Sequence, residues 1–281
     1  MDKMKYKLLV VTVTYKSNLE ELELFVNSFK KYNDVGDSAK LIVVDNSPKD
    51  FCDVHLLLNK YPDVVYLSNP NNPGFGASNN MGFEAYDSEF VLFVNNDVEF
   101  ISPVFSTIIR IFSGEPNLGC VGIHQVGGSP SFFRKMNAPG NQQMEKFDDK
   151  FHFISGAFMF FRSEIFEKIG KFDENIFMYY EEFDLSCRLL KNGYYTRYLP
   201  DLNFWHKVGN RRKINVTTSK IGIPPFFYVC SKYNLDSKKI AKSKILRLRK
   251  LQLYFLLKFD IKEVKKIQQV ICYWNDALIN I

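Results

Sequence analysis

Three carboxylates crowd four positions of the chain, Glu181, Glu182 and Asp184, with Tyr179, Tyr180 and Phe183 beside or among them. Aromatic surroundings desolvate a carboxyl group and raise its pKa toward the range where it exchanges protons near neutrality. Asp184 and Arg188 have the spacing of a helical ion pair and need no role beyond that. Glu182, turned about 100° from each neighbour on a helix, is left as the candidate base or acid. A second chemistry sits at Asn95-Asn96-Asp97, followed by Glu99. A lone carboxylate at a strand end can share a divalent cation with phosphate oxygens and water. The same tripeptide also makes an ordinary turn, so taken alone it leaves both readings open.

Strands must place these groups. Lys7 to Val13 is a nearly continuous β-branched and leucine run, the pattern of a strand covered on both faces. Asn18 then caps a helix, with Glu21 three residues on and Leu22, Phe25, Phe29 and Tyr32 along one face. Further buried strands are predicted at 40–44, 64–67 and 90–94, with helices at about 51–60 and 76–86 between them. This alternation predicts an open, mostly parallel α/β sheet with flanking helices. In such sheets ligands bind beyond the carboxyl ends of the strands, which here are Thr14-Tyr15, Asp45-Asn46 and Asn95-Asn96-Asp97.

After Gly119 the rhythm changes. A strand is expected at 119–123, an irregular stretch near 124–150, one long aromatic strand over 151–161, and helices over 163–169 and 181–191. From Ser237 onward the chain is helical in propensity, with Lys and Arg through 238–250 and the leucine-rich run Leu251 to Leu257. Its apolar residues share no clean face. A surface-lying amphipathic helix and a basic cap whose leucines pack inward both remain open.

Composition excludes several classes. With 281 residues, 46% hydrophobic and 24% charged, the chain is neither collagen, coiled coil nor disordered. Its five cysteines are scattered, odd in number and never in a C-x-x-C pair, which fits reduced thiols in a cytoplasmic protein. The apolar run after Lys7 is too short for a signal peptide and lacks a small-residue cleavage site. No run approaches the roughly 20 apolar residues of a spanning helix. Gly74-x-Gly76 with Gly82 has the wrong spacing and place for a dinucleotide fingerprint, and P-loop, G-x-S-x-G and paired-histidine motifs are absent. Residues 1–200 carry 20 Lys+Arg against 26 Asp+Glu, whereas 201–281 carry 17 against 5. The basic tail suits an anionic partner, but it has no nucleic-acid readout motif.

Taken in order, Val11-Thr12-Val13-Thr14-Tyr15, Val43-Val44-Asp45-Asn46-Ser47, Asn69-x-x-Asn72-x-Gly74-Phe75-Gly76-x-x-Asn79, Phe93-Val94-Asn95-Asn96-Asp97, Ser155-Gly156-Ala157, Phe172-Asp173-Glu174 and Glu181-Glu182-x-Asp184 form a series. It resembles the family 2 inverting glycosyltransferases of the GT-A fold, most of all the bacterial rhamnosyl- and galactofuranosyl-type transferases of surface polysaccharides. The resemblance spans about residues 6–210, and implies a GT-A domain over 1–210 followed by a basic, mainly helical extension over 211–281.

The resemblance also implies roles. Thr14, Tyr15 and Asp45 would hold the nucleotide base, Asp45 accepting a pyrimidine ring N–H. Asn72, Gly76 and Asn79 would lie beside the nucleotide, Asn96 near the donor's ribose, and Asn95 would also be donor-binding. Asp97 would take Mg²⁺ or Mn²⁺, and His206 matches a histidine that in some members reaches the metal or diphosphate. For a lone histidine a structural role is the other reading. Glu182 would be the general base, with Gly156, Ala157, Asp173 and Glu181 on the acceptor side. Two departures stand out. The metal motif has one carboxylate instead of two, unless Glu99 supplies a second, and the base is Glu where the family usually has Asp.

The expected activity is transfer of a sugar from a UDP- or dTDP-linked donor to a hydroxyl of a surface glycan of capsule or O-antigen type. The enzyme would be cytoplasmic, and its tail could bring it to an anionic membrane surface beside a lipid-linked acceptor. The rival expectation is a catalytically inactive nucleotide-sugar-binding adaptor held to membrane by the same tail.

Overall fold

A computed structural model of the chain describes residues 5–127, 130–137, 146–206 and 214–279. The chain divides into two compact units, 1–177 with 181–208, and 178–180 with 209–281.

The larger unit begins β1 (Lys5–Thr14), α1 (Leu19–Tyr32), β2 (Ala39–Asp45), α2 (Asp53–Leu58), β3 (Val65–Ser68), α3 (Phe75–Glu84) and β4 (Asp87–Val94). The elements then run β5 (Val98–Phe100), α4 (Phe105–Gly114), β6 (Leu118–Val126), β7 (Phe132–Arg134), β8 (His152–Ile154), β9 (Phe158–Arg162), α5 (Ser163–Lys168), α6 (Glu181–Lys191) and β10 (Tyr195–His206). Eight strands form one open sheet in the order β3-β2-β1-β4-β9-β6-β10-β5. The pairings from β3 to β4 and that of β6 with β10 are parallel, while β9 runs antiparallel to both neighbours and β5 to β10. The sheet is thus parallel along the half that carries β1, β2 and β4, and mixed beyond it.

Both faces of the sheet are covered, as the unbroken apolar runs require. Leu8 and Val10 of β1 join Phe25, Leu41, Val43 and Phe105 in one core, while Leu9 and Val11 join Ile42, Val44, Phe93 and Phe166 in another. That split is the two-residue period of a strand. Asn18 caps α1, its side-chain oxygen accepting from the N–H groups of Glu20 and Glu21.

Two expectations need correction. The aromatic stretch 151–161 is two strands, β8 and β9, interrupted at Ser155-Gly156-Ala157. The two halves go to different sheets, β8 pairing with β7 and β9 entering the main sheet. Continuous β propensity hides such a break, because propensity does not say which neighbour a strand takes. The strand expected at 119–123 also continues to Val126, and β7, inside the stretch expected to be irregular, is a strand that pairs with β8. Of that stretch, 128–129 and 138–145 lie outside the described residues.

The smaller unit is helical among its described residues: α7 (Val216–Ile221), α8 (Ile223–Lys232), α9 (Ser237–Leu257) and α10 (Ile261–Ile279). Pro224 and Pro225 lie in the first turn of α8, where proline's missing N–H costs nothing. Asp236 caps α9 by accepting from the N–H of Lys239. In α9 only Ala241, Ile245 and Phe255 are buried, while Leu246, Leu253, Leu256 and Leu257 stand exposed. No helix among the described residues is long and apolar enough to cross a membrane.

Candidate active site

The carboxyl ends of β1 and β2 lie side by side, Thr14 paired with Asp45. Asp45 is 1% exposed, and its Oδ1 accepts from the Thr14 hydroxyl (2.9 Å) and the Ser47 N–H (3.0 Å) while Oδ2 accepts from the Tyr66 hydroxyl (3.2 Å). Those donors offset the cost of burying a carboxylate. Each carboxylate oxygen has two lone-pair sites, so Oδ2 retains room for one further donor. Tyr15, next in the chain, is 52% exposed, its ring open to stacking.

The loop before α3 is pinned to the same strand ends. Asn46 accepts at Oδ1 from Asn69 (2.9 Å) and Ser78 (2.9 Å), and its Nδ2 donates to Asn72 (3.1 Å). Asn72 has φ 44°, a left-handed turn conformation that Asn tolerates better than most residues. Gly74, at φ 113°, lets the loop close on Phe177, whose carbonyl accepts from the Phe75 N–H (2.8 Å) and would collide with any Cβ at position 74. Gly76 is buried against Phe172. Asn79 donates to the Phe75 carbonyl (2.9 Å), but its Oδ1 is buried with no hydrogen-bond partner among the described residues. A buried amide oxygen left this way is unusual and costs stability unless a ligand or water satisfies it.

At the end of β4, Asn96 donates to the Ser17 hydroxyl (2.6 Å), tying this turn to the loop after β1. Antiparallel pairing of β5 with β10 sets Val98 opposite His206 and brings that histidine to Asp97, with Nε2 3.1 Å from Oδ1. Asp97 Oδ1 and His206 Nδ1 are both buried without a hydrogen-bond partner among the described residues. Adjacent ligands of an octahedral cation at about 2.1 Å stand about 3 Å apart, so Nε2 and Oδ1 are spaced as two such ligands. The pair therefore fits a divalent cation. Glu99, two residues beyond Asp97, sits opposite Trp205 in the β5–β10 pair, between the buried Val98 and Phe100. Among the described residues no cluster of three or more His, Cys, Asp or Glu forms. The remaining coordination would fall to diphosphate and water.

Helix α6 begins at Glu181 and ends at Lys191, the span expected from sequence. Asp184, 0% exposed, accepts from both Nε (2.8 Å) and Nη2 (2.6 Å) of Arg188, which also donates to the Ile169 carbonyl. Glu181 is buried with this side of the helix. Glu182 is turned elsewhere. Its Oε1 accepts from the Gly156 N–H at 2.9 Å, and burial lifts its pKa above the usual carboxylate value, partly opposed by the backbone N–H bonds of Glu182 and Gly156. A desolvated carboxylate held in place by backbone N–H groups is suited to proton transfer.

The interruption between β8 and β9 joins the two chemistries. Ala157, one residue after Gly156, accepts at its carbonyl from the Asn95 N–H (3.3 Å) at the head of the Asp97 turn. Ser155-Gly156-Ala157 is thus bonded to Glu182 on one side and to the Asn95-Asn96-Asp97 turn on the other. Asp173, by contrast, takes the backbone and side-chain N–H of Asn175 at Oδ1, closing a local turn.

Ser17, Ser47, Tyr66 and Ser78 belong to these networks and were not singled out from sequence. For Tyr66 the reason lies in the strand register. Asp45 pairs with Ser68 on β3, which puts Tyr66 one strand over and two residues back on the same face.

Comparison with known proteins identifies the family. The sequence pattern of glycosyl transferase family 2 matches residues 9–170, and that of glycosyl transferase family group 2 matches 131–218. The chain belongs to glycosyl transferase family 2. It is 27% identical to the N-acetylglucosaminyl-diphospho-decaprenol L-rhamnosyltransferase of Mycobacterium tuberculosis, over 70% of this chain and 75% of that one. It is 21% identical to the O-antigen chain rhamnosyltransferase WbaN of Salmonella anatum, over 70% and 65% respectively. Among solved structures, the mannosyltransferase PcManGT of Pyrobaculum calidifontis, crystallised with GDP-Man and Mn²⁺, matches with TM-score 0.58 at 13% identity, covering 98% of this chain and 87% of that one. TarS of S. aureus matches with TM-score 0.56 at 16% identity, covering 84% of this chain and 41% of that one. At those identities the structures speak for the fold, which is that of the expected glycosyltransferase domain.

Proposed function

We propose that this glycosyltransferase moves a sugar from a pyrimidine nucleoside diphosphate donor to a hydroxyl of a lipid-linked glycan, with inversion at the anomeric carbon. The observation that carries the reading is the bridge of Ser155-Gly156-Ala157 between a proton-accepting Glu182 and the Asp97 turn. An adaptor that only binds nucleotide has no use for a desolvated carboxylate fixed beside such a turn. The approach of His206 to Asp97 supports a second metal ligand in place of the missing carboxylate, which weakens the reduced motif as an argument for lost catalysis.

In the proposed reaction Gly156 holds Oε1 of Glu182, leaving Oε2 to take the proton of the acceptor hydroxyl. The acceptor oxygen so deprotonated attacks the anomeric carbon from the side opposite the nucleoside diphosphate, whose bond to that carbon breaks as the diphosphate leaves. Asp97 and His206 would hold Mg²⁺ or Mn²⁺, which supplies positive charge for the departing diphosphate. Asp45 would accept the ring N–H of uracil or thymine through Oδ2, and cytosine presents no proton at that ring position. Asn79 Oδ1 would accept from the donor.

The acceptor class follows the rhamnosyltransferase relatives, whose names give a diphospho-decaprenol-linked sugar in one case and an O-antigen chain in the other. The smaller unit suits a membrane-borne acceptor. Leu253, Leu256, Leu257, Phe259 and Ile261 are exposed around the α9–α10 turn, between Lys250 and Lys262. Each basic residue near anionic lipid contributes roughly 1 kcal/mol. Flotation with phosphatidylglycerol vesicles should show salt-sensitive binding that Leu257→Ser with Phe259→Ser weakens, and unchanged binding would remove the membrane part of the reading. The activity is tested by nucleotide release from UDP-, dTDP- and GDP-sugars with Mn²⁺. Release from a UDP- or dTDP-sugar supports the proposal, and release from GDP-sugars alone overturns the base assignment.

A further inference from the structure

The smaller unit contains a cavity of about 480 Å³ that the reaction above does not use. One wall is a single face of α9, where Lys244, Arg247, Leu248 and Leu251 follow helical i, i+3, i+4, i+7 spacing. Trp274 and Val270 of α10, Tyr179 and Tyr180, and the hydroxyl residues Thr218 and Ser219 line the rest.

Lys244 is the unusual member. Its Nζ lies 4.5 Å from the ring centre of Phe226, 5.0 Å from that of Trp274 and 5.1 Å from that of Tyr180. It donates to the Tyr180 hydroxyl (2.6 Å), and among the described residues it pairs with no carboxylate. An ammonium has three donors, so two are left for whatever enters the cavity. Burial lowers its pKa to about 8, and nearby Arg247 adds to the lowering. Cation–π contacts offset part of that cost but supply no counter-charge. The site thus combines two cations that form no ion pair among the described residues, hydroxyl groups and an apolar wall. It is complementary to a ligand that is a strong anion at one end and hydrocarbon at the other.

The backbone marks the same place. Tyr179 and Tyr180 have φ 73° and 75°, a left-handed conformation that consecutive bulky residues rarely adopt and that tends to gather at functional sites. In the chain only Glu181 separates Tyr180 from Glu182.

We propose that this cavity binds the isoprenyl diphosphate of the acceptor, with Lys244 and Arg247 on the diphosphate and Leu248, Leu251, Val270 and Trp274 along the first isoprene units. The assignment rests on the lipid-linked acceptor proposed above and names where its lipid end is held.

The test uses the full chain in EDTA, where the divalent-cation site cannot take a diphosphate, with geranyl diphosphate, geraniol and inorganic pyrophosphate as probes. A Trp205→Phe background leaves Trp274 as the sole tryptophan reporter. Geranyl diphosphate should quench Trp274 fluorescence saturably and bind about tenfold or more tightly than either half-molecule, since charge-assisted bonds and apolar burial contribute together. Lys244→Met should weaken its binding about tenfold, and Arg247→Gln, on an exposed side chain, severalfold. Equal affinity for all three probes, no quenching, or unchanged affinity in Arg247→Gln with folded Lys244→Met would each overturn the proposal. Nucleotide release, measured on protein with Mn²⁺ restored, reports separately on catalysis. Lipid binding without release would leave the cavity assignment standing and remove the transferase reading, and release without lipid binding would do the reverse.

Discussion

Glu182 and Gly156 are matched in a way that neither residue could keep alone. The Gly156 N–H donates to Oε1 of Glu182 at 2.9 Å, and a Cβ at position 156 would overlap that same oxygen. Glycine here serves close approach, because it brings a backbone donor to a carboxylate with nothing in between. Gly156→Ala should therefore push Glu182 aside. We expect kcat to fall about 100-fold, as a displacement of about 1 Å does in an aligned site, with donor KM unchanged. Steady-state kinetics checks this, and wild-type kcat would mean that Glu182 is not positioned through Gly156.

Burial raises the Glu182 carboxyl above its ordinary value, and that direction has opposite consequences for rate and stability. A base acts in its ionised form, so kcat/KM should fall as pH drops through the raised value, placing the acid limb above the ordinary carboxylate range. For stability, the folded protein holds the proton more tightly than the unfolded chain does. The contribution of this group is therefore full below the ordinary carboxylate value and lost as pH rises through the raised one. Glu182→Gln, which imitates the protonated form, should be at least as stable as wild type to urea at pH 8, with the difference closing toward pH 4. A large loss of stability at pH 8 would show instead that the carboxylate holds the fold.

Asp184 should behave differently, although it lies two residues away. It is fully buried and takes two hydrogen bonds from Arg188, so Asp184→Asn leaves a buried guanidinium uncompensated. The expected cost is about 3 kcal/mol in urea denaturation, with turnover per folded molecule preserved. Lost turnover in fully folded protein would give Asp184 the role assigned here to Glu182.

Much of this was legible in sequence, and the rest was not for identifiable reasons. Buried strands read clearly because apolar runs covered on both faces have one common solution, and β1, β2 and β4 end within a residue or two of expectation, at Thr14, Asp45 and Val94. Helix α6 and its Asp184–Arg188 pair were readable because spacing within a helix is local. The Asp97–His206 approach is not local, since it depends on how β5 and β10 register across the sheet, and only the family resemblance pointed to it. The break at Gly156 was hidden by aromatic residues on both sides, and its purpose is visible only once α6 is seen to send Glu182 there.

The metal assignment predicts a graded response. Asp97→Asn should abolish Mn²⁺-dependent turnover, and His206→Ala should raise the Mn²⁺ concentration needed for half-maximal activity about tenfold or more. Activity titrations against Mn²⁺, with nucleotide binding measured in parallel, separate lost metal from lost fold. Full turnover in excess EDTA would contradict the assignment.

The most direct test is kcat of Glu182→Gln beside wild type, with donor affinity measured on the same preparations. Glutamine keeps the size of the side chain and an oxygen for the Gly156 N–H, and loses only the ability to take a proton. The account predicts a fall of about 10² to 10⁴ in kcat with donor affinity nearly constant. Wild-type kcat in the folded variant would mean that the acceptor proton leaves by another group, and that the mechanism built on Glu182 is wrong.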